Sequence, residues 1–278
     1  MWTNENIPRY NRDHLRYPSD VTDEEWAHVE PLIPKAKRGG RKREVSVREV
    51  FNGIMYILST GCQWRYIPRD FPSRSTVYRY FCFWACCGVM DNIHRTLYAA
   101  CREMLERNVE PTACIIDSQS VKSAEKGGSS IDPHGFDAGK KIKGKKRNIL
   151  VDMQGLLLHA TVTSASVQDR DGGIELLSGL CGKFPLLEKL CGDSAFPGPL
   201  VQTALSTILP LIEVEIVKRS DTAKGFKVLP RRWVVERTFA WLGRCRRLAK
   251  DFEATIASAV AWVFVAHIRT LTRKLARP

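Results

Sequence analysis

Apolar positions recur at helical spacing over the first hundred or so residues, then give way after Pro111 to short β-branched runs. Residues 1 to 19 are polar and aromatic without a period and are expected to form an arm. Thr22-Asp23-Glu24-Glu25 reads as a capping box that opens a short helix through Trp26, Val29 and Leu32, closed by Pro34. Ser46-Val47-Arg48-Glu49 is a second capping box, and Val50, Ile54, Ile57 and Leu58 share one side of the helix it opens, which Gly61 closes. A third helix begins at Ser73-Arg74-Ser75-Thr76, and a fourth, from Asp91 to Arg107, sends Ile93, Leu97 and Met104 toward the same core. The third helix opens on Arg, Ser, Thr, Tyr and Arg. With its predecessor it resembles a helix-turn-helix variant with a long connection, and an ordinary helical bundle is the alternative.

Beyond the loop Asn108-Val109-Glu110-Pro111 the pattern predicts strands. Ala113 to Asp117 is one, ending on its aspartate. Asn148 to Asp152 is a second, Met153-Gln154-Gly155 a turn, and Leu156 to Thr163 a third. A helix from Asp169 to about Leu180, a strand reaching Asp193, a helix from about Leu200 and a strand from Glu213 to Lys218 follow. After Pro230, the residues Val234, Val235, Thr238, Trp241, Leu242, Cys245 and Leu248 form one apolar stripe. Glu236 lies off that stripe, on a face shared with Arg232, Gly243 and Arg247.

Composition changes this picture in one direction. At 278 residues and 44% hydrophobic the chain can bury a full core, yet its net charge is +13. A polyanionic partner explains that excess, with nucleic acid ahead of a membrane surface. No apolar run approaches the roughly 20 residues that span a bilayer, and no basic-then-apolar leader is present, so a cytoplasmic, non-membrane protein is expected. The nine cysteines sit mostly in apolar runs without a CxxC pair, which suits reduced core thiols better than zinc. Three stretches concentrate the cations: 35 to 43 (Lys37, Arg38, Arg41, Lys42, Arg43), 140 to 147 (Lys140, Lys141, Lys145, Arg147) and the helix after residue 230 (Arg232, Arg237, Arg244, Arg247). Together with Arg74, Thr76 and Arg79 these are the candidate DNA contacts. Solvated linkers and a protected sheet edge are the alternatives for the first two stretches.

Two apolar runs end on aspartates, Asp117 and Asp193, and a lone carboxylate, Glu236, stands among cations on a helix. Carboxyl ends of strands are where sites assemble in open α/β sheets. Three such acids repel one another unless divalent cations sit between them, and a cation pair about 4 Å apart suits phosphodiester chemistry. Asp152, Asp169, Asp171, Glu213 and Glu215 are rivals with structural readings: a hairpin turn, a helix start and one strand face. His134 and His159 lack paired ligand spacing and are expected to be structural or solvent-facing.

The segments IIDSQSVK (115 to 122), GDSAF (192 to 196) and RRWVVERTFAWLGRCRRLAKDFE (231 to 253) resemble the three catalytic boxes of bacterial insertion-sequence DDE transposases, in the branch called insertion sequence family five. The resemblance runs from about Tyr17 to Glu253 and makes Asp117, Asp193 and Glu236 the first, second and third acids. Arg232 matches the family arginine, but Leu229 and Gly243 stand where the wider pattern has tyrosine and lysine, and neighbouring Arg244 could supply the missing cation. The resemblance implies an α/β fold: a ribonuclease-H-like mixed sheet with flanking helices, preceded by an all-α helix-turn-helix-like domain. The expected organisation is an arm (1 to 19), a helical DNA-binding domain (20 to 110), a ribonuclease-H-like catalytic domain (111 to 253) and a C-terminal helix (254 to 278). The implied activity is metal-dependent DNA strand cleavage and strand transfer with two Mg²⁺ ions, Mn²⁺ substituting. The implied partners are the element's terminal inverted repeats, target DNA and a second copy of the chain on that DNA. A DNA-binding regulator without catalysis and a resolvase-like nuclease are the alternatives.

Overall fold

The computed structural model describes residues 7–36, 39, 42–124, 135–180, 182–193, 196, 198–210, 212–216 and 231–277. Five helices come first: α1 (Ile7–Tyr10), α2 (Asp23–Val29), α3 (Val47–Thr60), α4 (Arg74–Cys86) and α5 (Val89–Met104). The starts of α2, α3 and α4 are where the capping residues predict them, while α5 starts at Val89, two residues before the expected Asp91. Thr22 and Glu25 form the reciprocal capping box of α2, Ser46 caps α3 through Glu49 N, and Ser73 caps α4 through Thr76 N. Gly61 ends α3 with φ of 69°, a left-handed conformation that a side chain disfavours. The arm is docked from α1 onward: Arg12 pairs with buried Glu25, and the Tyr17 ring packs on Tyr56 and Phe71.

A six-stranded mixed sheet follows, built from β1 (Ala113–Lys122), β2 (Gly135–Asp137), β3 (Ile142–Asp152), β4 (Leu157–Ser164), β5 (Lys189–Gly192) and β6 (Glu213–Ile216). Its order is β2-β3-β1-β5-β6, with β4 on the same side of β3 as β2. β3 runs antiparallel to β1 and β4, while β1, β5 and β6 are parallel. The helices α6 (Asp169–Ser178), α7 (Pro199–Ile208), α8 (Arg232–Gly243), α9 (Arg246–Ala249) and α10 (Ile256–Leu275) complete the chain. One continuous core, from Val21 to Leu271, joins the N-terminal helices to the sheet, and α10 packs on α2, α3, α4, α5 and β4. Among the described residues no helix is long and apolar enough to cross a membrane, and the cysteines are free.

Two strand boundaries differ from the sequence expectation. β1 does not stop at Asp117 but pairs with β3 as far as Lys122, opposite Gly144. β3 begins at Ile142, so most of the cationic run expected to lead into a strand lies inside one. The apolar stripe after residue 230 is likewise broken into α8 and α9, with Cys245 between them. Residues 1 to 6, His134, the end of the strand at 217 and 218, Leu229 and Pro230 lie outside the described residues.

Candidate active site

β1 and β5 pair in the register Ala113↔Lys189, Cys114↔Leu190, Ile115↔Cys191. Two residues further along each chain stand Asp117 and Asp193, so the same register, continued, sets Asp117 in the middle of β1 beside Asp193 just past the end of β5, with neighbouring strands about 4.8 Å apart. Both line a cavity of about 10 Å³ with Ile115, Ile116, Cys191, Gly192 and Arg232. Burial raises the Asp117 carboxyl to a pKa of about 6, and the negative charge of Asp193 adds to the rise. The Ser118 amide, which donates to Asp117 Oδ1 at 2.7 Å, and the charges of Arg232 and Lys140 oppose it.

Glu236 comes from α8, whose buried side is Val234, Val235, Thr238, Phe239 and Leu242. Thr238 Oγ1 donates to Gly155 O at 2.8 Å and Arg237 Nη2 to Gln154 O at 2.8 Å, pinning the helix to the β3–β4 turn. Gly155 has φ of +82°, and a Cβ there would stand 2.9 Å from Thr238 Oγ1, so the contact needs glycine twice over. The opposite face of α8 carries Arg232 and Glu236 one turn apart. Arg232 Nη2 lies 3.4 Å from Asp193 Oδ2 and Arg232 Nε lies 3.4 Å from Glu236 Oε1. Glu236, 56% exposed, therefore reaches the aspartates through an arginine. Among the described residues no three His, Cys, Asp or Glu side chains converge closely enough to hold a metal ion. The expected pocket of three acids is an aspartate pair with the glutamate beside it, held across a guanidinium.

The candidate DNA contacts divide by burial. Lys42, Arg43, Arg74, Arg79, Lys140, Lys141 and Arg244 are exposed, with Arg43 Nη1 donating to Pro34 O at 3.0 Å. Thr76 and Arg232 are half-buried, and Arg237 lies between the Trp233 and Trp241 rings, 4.5 and 4.7 Å from their centroids. Lys37, Arg38 and Arg41 lie outside the described residues. Lys145, Arg147 and Arg247 correct the sequence expectation, because all three are buried and bonded to other parts of the fold. Lys145 Nζ pairs with Asp251 at 3.1 Å and donates to Glu253 O, Arg147 Nη1 donates to Leu248 O at 2.7 Å, and Arg247 pairs with Glu253. Burial lowers the Arg147 guanidinium to a pKa of about 10, a marker of its interior position.

The rival acids hold structural posts. Asp152 is fully buried, paired with Arg102 and accepting from Gln154 N and Leu156 N, as a turn aspartate should. Glu215 pairs with Lys189 at 3.0 Å and with Arg231. Asp169, beside Asp117 through Ser118, is held by Lys146 Nζ at 2.6 Å, and the same ammonium donates to Val167 O at 2.7 Å. Lys146 thus ties the start of α6 to the strand beside β1. Sequence reasoning missed this clamp, because its neighbours in the basic run face the opposite side of β3.

Residues 109–271 match the family described as "Transposase DDE domain", and residues 21–94 match the one described as "Putative transposase of IS4/5 family". An "Insertion element IS402 uncharacterized 16.2 kDa protein" of Burkholderia cepacia is 31% identical over 113 residues, covering 38% of this chain and 76% of that protein. No solved structure matches the chain.

Proposed function

The chain belongs to the transposase DDE domain family, and on that premise we propose that it binds the terminal inverted repeats of its own insertion sequence and cuts and joins DNA strands there. The observation that carries this reading is the register of β1 and β5, which sets Asp117 beside Asp193, with Arg232 linking Asp193 to Glu236. The order β4-β3-β1-β5-β6, with β3 antiparallel to β1, supports a ribonuclease-H-like catalytic unit over residues 111 to 253. The exposed first turns of α4, with Arg74 and Arg79, support DNA recognition by a helix-turn-helix variant within residues 20 to 110.

DDE transposase domains use divalent metal ions, and the donor chemistry fits them. One guanidinium joins two of the carboxylates, Asp193 and Glu236, and the neighbouring Asp117 carboxyl, lifted by burial and by Asp193, is an anion short of a cation. Asp117 and Asp193 would hold two Mg²⁺ ions, or Mn²⁺ in their place, with Glu236 completing the second. Such ions supply Lewis acidity at the attacking and leaving oxygens of a phosphodiester. The chain's own task is placement. Thr238 and Arg237 fix α8 on the sheet, Arg232 keeps the acids from repelling one another apart, and exposed Lys140, whose charge acts on Asp117, is available for phosphate contact, as are exposed Lys141 and Arg244. Two element ends must be joined in step, so at least two copies act together on DNA.

Labelled element ends incubated with the protein and Mg²⁺ test the reading. Joined products are expected. End binding without cutting would instead identify a regulator, and cutting of branched or unrelated DNA without joining a resolvase-like nuclease. Asp193→Asn should keep end binding and lose Mg²⁺-dependent cleavage, and unchanged cleavage would overturn the assignment of the acids.

A further inference from the structure

β1 ends at Lys122, and two residues on, Ala124 lines a second concavity, seven residues and roughly 20 Å beyond Asp117 at about 3.3 Å per residue. It is a cleft of about 930 Å³ between the start of α4, the turn after α3 and the segment that enters α10. That volume lies at the upper end of small-ligand sites, about 300–1,000 Å³, and admits a few unstacked nucleotides rather than a duplex. Three aromatic rings line it: Trp64, Tyr78 and Phe252. Tyr78 is 49% exposed and meets Trp64 edge-on at 5.0 Å. Arg65 and Arg74 are exposed at the rim. Arg247 forms part of the wall, is only 7% exposed and leaves its Nε without a hydrogen-bond partner among the described residues.

Charge elsewhere in the cleft points the same way. The helices α4 and α10 both begin here, capped by the Ser73 and Thr255 hydroxyls, and neither has an acid in its first turn, so the positive ends of two helix dipoles face one space. The acid in the lining, Glu253, is neutralised by Arg247 and accepts from Ser258 Oγ. Arginines and helix starts recognise phosphate, and aromatic faces recognise bases, but a duplex keeps its base faces stacked inside. We propose that this cleft binds unpaired nucleotides of a DNA single strand, stacking bases on Tyr78 and Phe252 and holding phosphate at Arg65. The inference rests on the DNA-processing reading above: strands opened near Asp117 would run along the β1 direction into it.

The test uses the full-length protein and two probes, oligo-dT of eight nucleotides and a 20-base-pair duplex of arbitrary sequence, with binding followed by tryptophan fluorescence and by anisotropy of a labelled probe. The single strand is expected to quench tryptophan fluorescence. Phe252→Ala should weaken its binding about 10-fold while duplex affinity changes less than about threefold. The exposed Arg65→Gln, which removes no buried group, should weaken single-strand binding in the same direction and serves if Phe252→Ala melts early. Equal losses for single strand and duplex, no loss in any variant, or thymidine monophosphate binding as tightly as the octamer would each overturn the proposal. None of these outcomes depends on cleavage or strand transfer, so failure here is separable from failure of the transposase reading.

Discussion

Asp117 is the residue on which the electrostatics of the site turn. Its carboxyl titrates at about 6 in the fold, against an ordinary value near 4, because burial and Asp193 both penalise the anion. The folded chain therefore holds this proton more tightly than the unfolded one, and stability falls as pH rises from about 4 to about 6 and stays reduced above that. Asp117→Asn should raise the metal-free melting temperature at pH 7 by a few degrees, at about 2–4 °C per kcal/mol for a chain of this size, with a smaller gain at pH 4. Arg232→Ala works in the opposite sense. It removes the guanidinium between Asp193 and Glu236, so the metal-free protein should melt lower while the stabilisation by added Mn²⁺ grows, both read by thermal denaturation. Of this site the sequence discloses the acids, since Asp117 and Asp193 end apolar runs and Glu236 shares a helix face with Arg232. It does not disclose that Arg232 also reaches Asp193, a contact made only when α8 lies on β1.

At the scale of elements, capping and turn residues were legible because they act within one turn of chain: Thr22, Ser46, Ser73 and Gly61 stand where helices start and stop. The cationic run before Asn148 was not. Cations at every second position look like a solvated sheet edge, but β3 is flanked by strands on both sides. Lys145 and Arg147 therefore point at residues 248 to 253 from one face, and Lys146 at α6 from the other. Helix packing also hides a histidine pair. His94 Nε2 and His267 Nδ1 are 2.9 Å apart between α5 and α10, and His267 Nε2 accepts from Leu157 N at 3.1 Å. Burial lowers His94 to about 3 and His159 to about 4, and lowers His267 as well. These groups are neutral in the fold, so the stability they allow is complete above the ordinary value near 6.5 and is lost as pH falls from there toward 3 to 4. Urea denaturation at pH 7 and at pH 4.5 should show that loss, at most about 1.4 kcal/mol per pH unit for each histidine, and His267→Gln should flatten it.

Across the whole molecule, the two ends of the chain are tied to one acid. Glu25, 1% exposed, receives Arg12 from the arm and Arg277 from beyond α10 at 2.6 and 3.1 Å, with Arg273 at 4.0 Å. Burial also lowers Arg273 to about 9. Glu25→Ala would leave these cations facing a cavity and should cost about 3–5 kcal/mol in chemical denaturation. The arrangement joins the helical N-terminal part to the sheet through α10 and a continuous core, so on the proposed reading DNA at α4 and a strand at Asp117 would be positioned by one body. The central claim remains that Asp117, Asp193 and Glu236 share divalent cations on DNA. The most direct measurement is Mn²⁺ binding, by electron paramagnetic resonance of the free ion, to the protein assembled on element-end DNA. The account predicts about two tightly held ions per active copy, and loss of at least one in Asp193→Asn with DNA still bound; an unchanged number of ions in that variant would contradict it.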